Sequence, residues 1–319
     1  MVWQDTLLSL CFDRPPATIT HPVSFNSPIK DNLSYFEAMY DLQQCALEGM
    51  NTKMTALHDF NAISTVVEKI DRIYDRVQEH LGSLEGCLTF QQRCEHYAFR
   101  LHTSFVSGWL CRGAFTRSSV PESQQQVRRD LIIKGKVYLV RSLRAYLNLH
   151  PLCLQASRSW AYIHNGLSSA LVLGLLGETK TNPEARELQG ALIQTLSLMK
   201  DSESEQIGTG GSVSLSKLHQ KALAALESLY KDQTQGLAPE PPPAPKNYPP
   251  IVASVRSQFP VSEPPAYATP IPQETAQDHL PPQYGMGVSG SWEMSPMELF
   301  DSIIWGKMAP LCGVPILYR

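Results

Sequence analysis

The sequence predicts an all-α protein, an antiparallel multi-helix bundle followed by a disordered proline-rich tail. Apolar residues recur at helical spacing through residues 1–232, and no convincing alternating strand or hairpin turn interrupts them. Fourteen of the 24 prolines lie between Pro239 and Pro282, so the composition changes after the helical part. Apolar residues make up 43% of the 319 residues, which is enough for a sizeable core.

The first helix is predicted at the N-terminus, and Pro15 and Pro16 set its end. Proline lacks an amide donor and disfavours helix in the preceding residue, so the chain must turn at Arg14. We expect Arg14 to hydrogen-bond carbonyl groups or an acid at that turn. The side chains expected to pack from this helix are Trp3, Leu7, Leu8, Leu10 and Phe12.

Two helices in the middle of the chain are predicted from apolar spacing. One runs from Ile63 to Leu81 with its apolar residues on one face, and Gly82 is a plausible stop. The other covers Phe90 to Phe115 and is apolar on more than one side. That distribution is typical of a helix in the middle of a bundle.

Two later helices begin with capping signals. Ser119–Glu122 precedes a helix to about Leu149, and Thr181–Glu184 precedes one to about Met199. In each segment a side-chain oxygen precedes a proline, which suits a first turn because its amides have no partners inside the helix. A further helix is predicted for residues 215–231. Short links favour antiparallel neighbours, so residues 1–232 are predicted to form one domain.

Charge and cysteine usage exclude several classes of protein. Residues 1–232 carry 23 basic and 23 acidic side chains, and residues 233–319 carry 4 and 7, so no excess positive charge supports binding to nucleic acid. Seven cysteines without a secretory signal favour reduced thiols inside the cell. The longest apolar stretch, Ala170–Gly177, is too short to span a membrane.

No enzyme or metal motif is recognisable. The sequence has no Gly-x-Ser-x-Gly elbow, phosphate-binding P-loop or His-Glu-x-x-His pair, so we predict that the protein is not an enzyme. An unrecognised helical enzyme stays as an alternative. The spacing of Cys94, His96 and His102 does not place them on one helical face, and no two cysteines are three residues apart. We therefore predict no metal site in this chain.

Residues 117–145 are unusually basic, with seven basic residues against two acidic ones. They lack interleaved exposed aromatic residues, so the pattern favours a solvated helix face or an internal docking surface over a nucleic-acid face.

A second unusual segment, residues 157–177, places polar residues inside an apolar helical pattern. Buried histidine and asparagine need hydrogen-bond partners, so these residues belong to a core network or line a pocket. Gly166 and Gly174 would allow another helix or a ligand to approach closely. If a small-molecule pocket exists, its expected residues are Arg158, Trp160, His164 and Asn165.

Five segments, in their order along the chain, resemble parts of fungal zinc-cluster transcription factors. They are Trp3–Pro16, Leu101–Phe105, His164–Leu171, Leu173–Thr179 and Ser295–Asp301. The first four are similar to the all-α regulatory domain often called the middle homology region, and the last to the tails of some members. The resemblance implies an all-α regulatory domain over residues 1–232, a nuclear location and a role in regulating transcription by RNA polymerase II.

The six-cysteine zinc cluster through which that family binds DNA has no counterpart in these residues. We therefore expect no cofactor in this chain, with zinc and DNA reached only through an N-terminal domain that it lacks. The sequence leaves open whether it is part of a longer factor or a stand-alone regulator. A small-molecule effector fits either case. The alternative function is a helical small-molecule-binding protein without transcriptional activity.

The C-terminal part is predicted to consist of a disordered linker, a short activation motif and an unassigned tail, over residues 233–291, 292–306 and 307–319. A helix that starts at Pro296 would form an acidic and apolar motif that binds transcriptional coactivators. Its residues are Met297, Leu299, Phe300, Asp301, Ile303, Ile304 and Trp305. The alternative is that the segment docks onto the helical domain, and both hold if docking is autoinhibitory.

Overall fold

The computed structural model describes residues 2–12, 14–16, 31–55, 59–116, 120–205, 215–234 and 296–305. Within these ranges the protein is all-α, as the sequence predicts. The strand-like pairing among them is an isolated parallel bridge between Leu33 and Val77. Most of the predicted linker 233–291 and all of the predicted tail 307–319 lie outside the described residues.

Twelve α-helices and one 3-10 turn make up the described chain. They are α1 (Val2–Phe12), α2 (Tyr35–Thr55), α3 (Phe60–Ile73), α4 (Glu79–Gly82), α5 (Phe90–Cys111), the 3-10 turn (Arg112–Phe115), α6 (Glu122–Leu149), α7 (Leu154–Arg158), α8 (Trp160–Leu175), α9 (Glu178–Thr181), α10 (Pro183–Glu205), α11 (Lys217–Thr234) and α12 (Pro296–Trp305). All of them belong to one compact unit of the chain.

Helices α5, α6 and α8 form the centre of the bundle. The antiparallel packing of α5 against α6 places Gly135 beside Cys111 near one end of the pair. The packing of α6 against α8 is also antiparallel, since the Ser169 hydroxyl donates to the Ser142 hydroxyl at 2.9 Å and Gly166 faces Tyr146. The close approach predicted at Gly166 is confirmed, because a Cβ there would lie 2.7 Å from the Tyr146 ring.

Two groups of buried apolar residues lie on either side of this centre. Helices α1, α2 and α3 pack against one side of α5 and α6 through residues such as Leu10, Leu42 and Val67. Helices α8 and α10 pack against α6 on the other side, α11 packs against α8 and α10, and Phe300 of α12 joins that second group. The strongly apolar α5 therefore lies between the two, as expected for a central helix.

The N-terminal helix ends before the two prolines as predicted, at Phe12. Leu7 and Leu10 are buried and the Phe12 ring stacks on Trp160 of α8, but Leu8 is 37% exposed, so the predicted packing fails for Leu8. One helix presents only part of its circumference to the core. Arg14 lies 3.8 Å from Asp5, which agrees with the predicted acidic partner.

The helix predicted over residues 63–81 is wrong in its second half. Helix α3 ends at Ile73, and a turn over residues 74–76 leads to the bridge residue Val77 before α4 begins at Glu79. The Leu33 amide donates to the Arg76 carbonyl at 2.7 Å, and the Gln78 amide donates to the Leu33 carbonyl at 3.0 Å. These bonds to a distant segment compete with helix continuation. The predicted stop at Gly82 is correct for α4.

The two capping predictions have different outcomes. The Asn182 side chain accepts from the Glu184 and Ala185 amides at 3.0 and 3.2 Å, which confirms the start of α10, although the helix continues past Met199 to Glu205. Helix α6 begins at Glu122 with Pro121 at the cap and no side-chain cap. Ser119, the predicted cap, lies outside the described residues.

The predicted boundary between domain and linker is two residues too early. Helix α11 continues to Thr234, and the Gln233 side chain donates to the Gly174 carbonyl at 2.7 Å. This hydrogen bond connects the last turn of α11 to α8. Gly174 also allows α10 to approach α8, since a Cβ at Gly174 would lie 3.1 Å from the side-chain Nε2 atom of Gln189.

Candidate functional site

A stack of aromatic and imidazole rings, here called the histidine stack, joins α1, α8 and α11. It consists of Phe12, Trp160, His164 and His219. The Trp160 ring stacks on Phe12 at 5.4 Å, on His164 at 4.6 Å and on His219 at 5.4 Å between ring centroids. The spacing of four residues between Trp160 and His164 places both rings on one face of α8. The stack therefore depends on three helices that are distant in the chain.

Burial keeps these histidines neutral. The pKa of His164 is lowered to about 3. Desolvation by burial is the main cause, and the nearby His219 and Arg112 add to it. Desolvation also lowers the pKa of His219 to about 4. Both side chains are almost completely buried. Because these pKa values lie far below 7, neither residue is a cation at neutral pH. A neutral imidazole can still donate one hydrogen bond and accept one.

A second buried group lies beside the stack, between α5 and α8. The His102 ring lies 5.3 Å from Trp3 and 5.2 Å from Tyr162. The Asn165 amide nitrogen lies 3.3 Å from the His102 Nδ1 atom, and its Oδ1 atom has no hydrogen-bond partner within the described residues. Desolvation lowers the pKa of His102 to about 4. Asn165 therefore belongs to the predicted core network.

Helix α12 docks beside the histidine stack through two adjacent residues. The Phe300 side chain is 2% exposed, and the Arg112 guanidinium lies over its ring at 4.2 Å from the centroid. The next residue, Asp301, accepts a hydrogen bond from Arg112 at 2.9 Å. Arg112 therefore holds both an aromatic ring and a carboxylate of α12, and its own side chain is largely buried.

A small cavity lies beneath α12. Its volume is about 20 Å³, which is room for a single water and far below the size of a drug-like ligand site. The residues around it come from six elements and are Leu10, Cys11, Phe105, Trp109, Arg112, Leu139, His164, Ser168, Ser169, Val172 and Phe300. Burial raises the pKa of the Cys11 thiol strongly, so this cysteine is not a nucleophile. The Phe300 ring closes the cavity.

The four residues predicted for a pocket are only partly brought together. His164 lines the cavity, and the Trp160 ring stacks on the His164 ring. Asn165 faces His102 instead. Arg158 is exposed at the end of α7 and does not line this cavity. Successive residues of a helix point about 100° apart, so His164 and Asn165 must face different neighbours.

The predicted activation motif forms a helix with the bounds that the sequence suggests, Pro296 to Trp305. Phe300 is buried, whereas Leu299, Asp301 and Ile303 are half-buried against the bundle. The side chains of Met297, Ile304 and Trp305 lie outside the described part of the chain. The docking alternative therefore describes this arrangement, and Phe300 is not presented on a free surface as an activation motif requires.

Sequence reasoning missed several residues of the site. Arg112, His219, Cys11 and Phe105 all contact the cavity or the histidine stack. Each follows the helical pattern of its own segment, so no local signal distinguishes it from an ordinary core or surface residue. The acidic and aromatic pair at Phe300 and Asp301 was visible, but its partner Arg112 lies far away in the sequence.

Two further observations bear on what the described helices can do. No group of three or more histidine, cysteine, aspartate or glutamate side chains within the described ranges is arranged to hold a metal ion. None of the helices that the structure describes combines the length and apolar character needed to cross a membrane. The predicted absence of a metal site and of a cofactor stays a prediction.

Comparisons with protein-family models, with curated proteins and with solved structures give no match to this chain. The functional argument therefore depends on the residues and geometry given above.

Proposed function

We propose that this chain is the regulatory and activation part of a transcription regulator of the fungal zinc-cluster type. In this proposal it acts in the nucleus on transcription by RNA polymerase II, and it reaches DNA and zinc only through a domain outside these residues. Helix α12 binds transcriptional coactivators when it is free and is masked when it docks on the bundle. Catalysis is no part of this role.

The docking of α12 through Phe300 and Asp301 is the observation that carries the proposal. A ten-residue helix is marginal in water and needs a surface that buries its apolar face. A coactivator groove would bury the same face. Since one ring cannot occupy both sites, docking on Arg112 and binding of a coactivator exclude each other. The bundle then sets the fraction of α12 that is free.

A reporter assay with fusions to a heterologous DNA-binding domain tests both parts of this proposal. We expect strong activation from residues 289–306 alone and weak activation from the whole chain. Replacing Arg112 by alanine in the whole chain removes the partner of both Phe300 and Asp301 and should raise activation. Arg129→Ala is the matched control, because Arg129 is exposed on α6 and, among the described residues, bonds only to the neighbouring Gln126 side chain.

The outcomes separate activation from masking. A silent 289–306 fusion, or one equally active after Phe300→Ala, contradicts an activation role. An active 289–306 fusion together with equal activity of the wild-type and Arg112→Ala whole chains contradicts masking alone. Circular dichroism and thermal melting of both arginine variants show whether the bundle has stayed folded.

The alternative, a helical small-molecule-binding protein, is favoured by one feature, the cavity beside His164 and Ser168. Its opening would require α12 to leave. In this case a ligand should raise the melting temperature of the chain, and replacing His164 and Asn165 together by alanine should abolish the effect. Retained ligand-dependent melting in that double variant would exclude a ligand site at this position.

A further inference from the structure

A second and much larger cavity lies elsewhere on the bundle, and no residue of α12 lines it. It is an open cleft of about 450 Å³ between α5 and α6, bordered by the residues that follow α4. This volume lies in the range of about 300–1,000 Å³ that is usual for small-molecule sites. It shares no residue with the cavity beneath Phe300. We call it the arginine cleft.

Three guanidinium groups converge on the arginine cleft. Arg100 comes from α5, while Arg141 and Arg144 come from α6, one helical turn apart. The spacing of three residues puts both α6 arginines on one face of the helix. The antiparallel packing of α5 and α6 brings Arg100 opposite them. Part of the basic stretch noticed in the sequence is therefore directed into a concave site.

These arginines are incompletely paired. Arg144 forms an ion pair with Glu184, but Arg141 makes no hydrogen bond or ion pair with any residue that the structure describes. Arg100 donates from Nη2 to the Gly82 carbonyl at 3.0 Å, whereas its buried Nε has no partner within the described residues. A buried donor without a partner is costly, and it indicates a water or an anion that completes the site.

The charge of the cleft is positive even when its acidic neighbours are counted. Besides Glu184, the acid at its border is Glu85, whose pKa is lowered by a hydrogen bond from the Ser83 hydroxyl and which is therefore ionised. Three positive groups thus face two negative ones. Tyr97, Ser104 and Asn148 add neutral polar groups to the wall. This combination suits an anion that also carries hydroxyl groups.

We propose that the arginine cleft binds a small phosphate ester. A phosphate monoester carries three acceptor oxygens and nearly two negative charges at neutral pH, so it can accept from three guanidinium groups that approach from two helices. A carboxylate offers two oxygens and one charge. An extended acidic peptide would need a long groove, whereas this cleft of about 450 Å³ has the size of a small-molecule site. The proposal is independent of α12 and of any role in transcription.

Calorimetric titration of the full chain with ribose 5-phosphate tests the proposal at constant ionic strength. We expect saturable binding, and we expect Arg141→Ala to weaken the affinity by about tenfold or more, because a hydrogen bond to a charged group is worth about 1.5–3 kcal/mol. Arg141→Ala should not disturb folding, since the side chain is exposed and has no partner among the described residues. Arg141→Lys keeps the charge but loses the planar fork of the guanidinium group. Its affinity should therefore lie between those of the wild type and Arg141→Ala.

Arg129→Ala is the matched control, because it removes the same charge from an exposed position three turns along α6, outside the cleft. Equal weakening by Arg129→Ala and Arg141→Ala would mean that the ligand senses only the net charge, and it would overturn the site. Absence of saturable binding to the folded full chain would also overturn it. Ribose, citrate and inorganic phosphate complete the test.

Each of these three ligands has a defined expectation. Ribose should not bind, since it lacks the anion, and citrate should bind more weakly than ribose 5-phosphate. Inorganic phosphate should bind at the same arginines but more weakly than the ester, because it cannot reach the Tyr97, Ser104 and Asn148 side chains. Citrate binding as tight as that of the ester would replace the proposal with a general anion site. Inorganic phosphate binding as tight as that of the ester would show that the sugar part contributes nothing, and the proposal of an ester site would be overturned.

Discussion

The cavity beneath α12 and the arginine cleft differ in how their polar groups are satisfied. In the first, Arg112 meets a carboxylate and a ring from its own chain, and only about 20 Å³ remains empty. In the second, about 450 Å³ is open and Arg141 has no partner within the described residues. A site that the chain itself fills is suited to control by displacement, whereas an open site is suited to direct binding.

The ionisable groups of the two regions differ in the same sense. The closed region contains histidines whose pKa values are lowered by burial to about 3 or 4. The arginine cleft owes its charge to guanidinium groups, although its lining includes one histidine, His96, whose pKa burial also lowers. Acid should therefore act mainly on the stability of the closed region. The predictions below test this contrast, from the largest expected effect to the smallest.

Acidification should cause the largest loss of stability. His102, His164 and His219 have pKa values in the folded state below the ordinary histidine value of 6.5, so the unfolded chain binds more protons as the pH falls below about 6.5. Stability is fully present above that pH and decreases toward the folded-state values. At pH 5 we expect a loss of roughly 2 kcal/mol for each histidine. Urea unfolding at pH 7.5 and pH 5 measures it.

The variant His219→Gln provides the control for this prediction. Glutamine does not titrate, so the variant should lose only the roughly 2 kcal/mol that His219 contributes between pH 7.5 and pH 5. The rest of the pH dependence belongs to the other histidines whose pKa burial lowers, which are His96, His102, His150 and His164. An unchanged dependence would show that His219 is accessible to protons in the folded state, contrary to its burial in the stack.

Phe300→Ala should release α12. Burying a phenylalanine side chain contributes about 1.5–3 kcal/mol, and here that contribution belongs mostly to the docking of one helix. We expect hydrogen exchange of the α12 amides to accelerate by about 30-fold, which corresponds to about 2 kcal/mol. Exchange in α5 and α6 should change little.

Phe36→Ala is the matched control, since Phe36 is 81% exposed on α2 and should contribute little when truncated. Unchanged exchange in α12 after Phe300→Ala would show that Leu299 and Ile303 suffice to hold the helix. Loss of protection throughout the bundle would show that α12 is part of the core and not a separable segment.

The extent to which the sequence predicts this structure depends on the range of the interactions involved. The start of α10 was predictable because Asn182 bonds to amides two and three residues away. The end of α3 was not, because the bridge at Val77 forms with Leu33, a residue from another part of the chain. The start of α12 at Pro296 was predictable from the proline itself, which suits the first position of a helix because it needs no amide donor there.

The candidate sites show the same dependence. His164 was recognisable as a polar residue in an apolar helix, but nothing near it indicates His219 or Arg112, which reach it only through tertiary packing. Arg158 was assigned from its position before Trp160, although the chain bends at Ser159 and leaves it exposed. The arginine cleft was visible only as a basic stretch, because Arg100 lies on a different helix from Arg141.

Gly166→Ala should destabilise the bundle by about 1–2 kcal/mol. The new Cβ would lie 2.7–2.8 Å from atoms of the Tyr146 ring, which is itself fully buried and unable to move aside. Overpacking of this kind costs about 1–3 kcal/mol, and the better helix propensity of alanine offsets up to about 1 kcal/mol of it. Urea unfolding at neutral pH measures the net effect.

Gly82→Ala is the control from the arginine cleft. Gly82 lines that cleft, and a Cβ there would meet nothing closer than 3.9 Å. We expect it to change the free energy of unfolding by less than about 0.5 kcal/mol. An equal loss for both variants would show that the region of Gly166 is no more tightly packed than the cleft.

Asp301→Asn should have the smallest effect on stability and the clearest dependence on salt. The substitution keeps the shape of the side chain and removes the charge that faces Arg112 at 2.9 Å. Because the Asp301 side chain is 40% exposed, the pair is partly screened, and we expect a loss of about 0.5–1 kcal/mol in α12 docking at low salt. Hydrogen exchange of the α12 amides should therefore accelerate only a few-fold.

The difference between Asp301→Asn and wild type should shrink as salt shortens the Debye length from about 30 Å at 0.01 M to about 3 Å at 1 M. Phe300→Ala should show no such dependence, since it removes apolar contact. A salt-independent loss above about 2 kcal/mol for Asp301→Asn would mean that the ion pair, rather than the Phe300 ring, holds α12 in place.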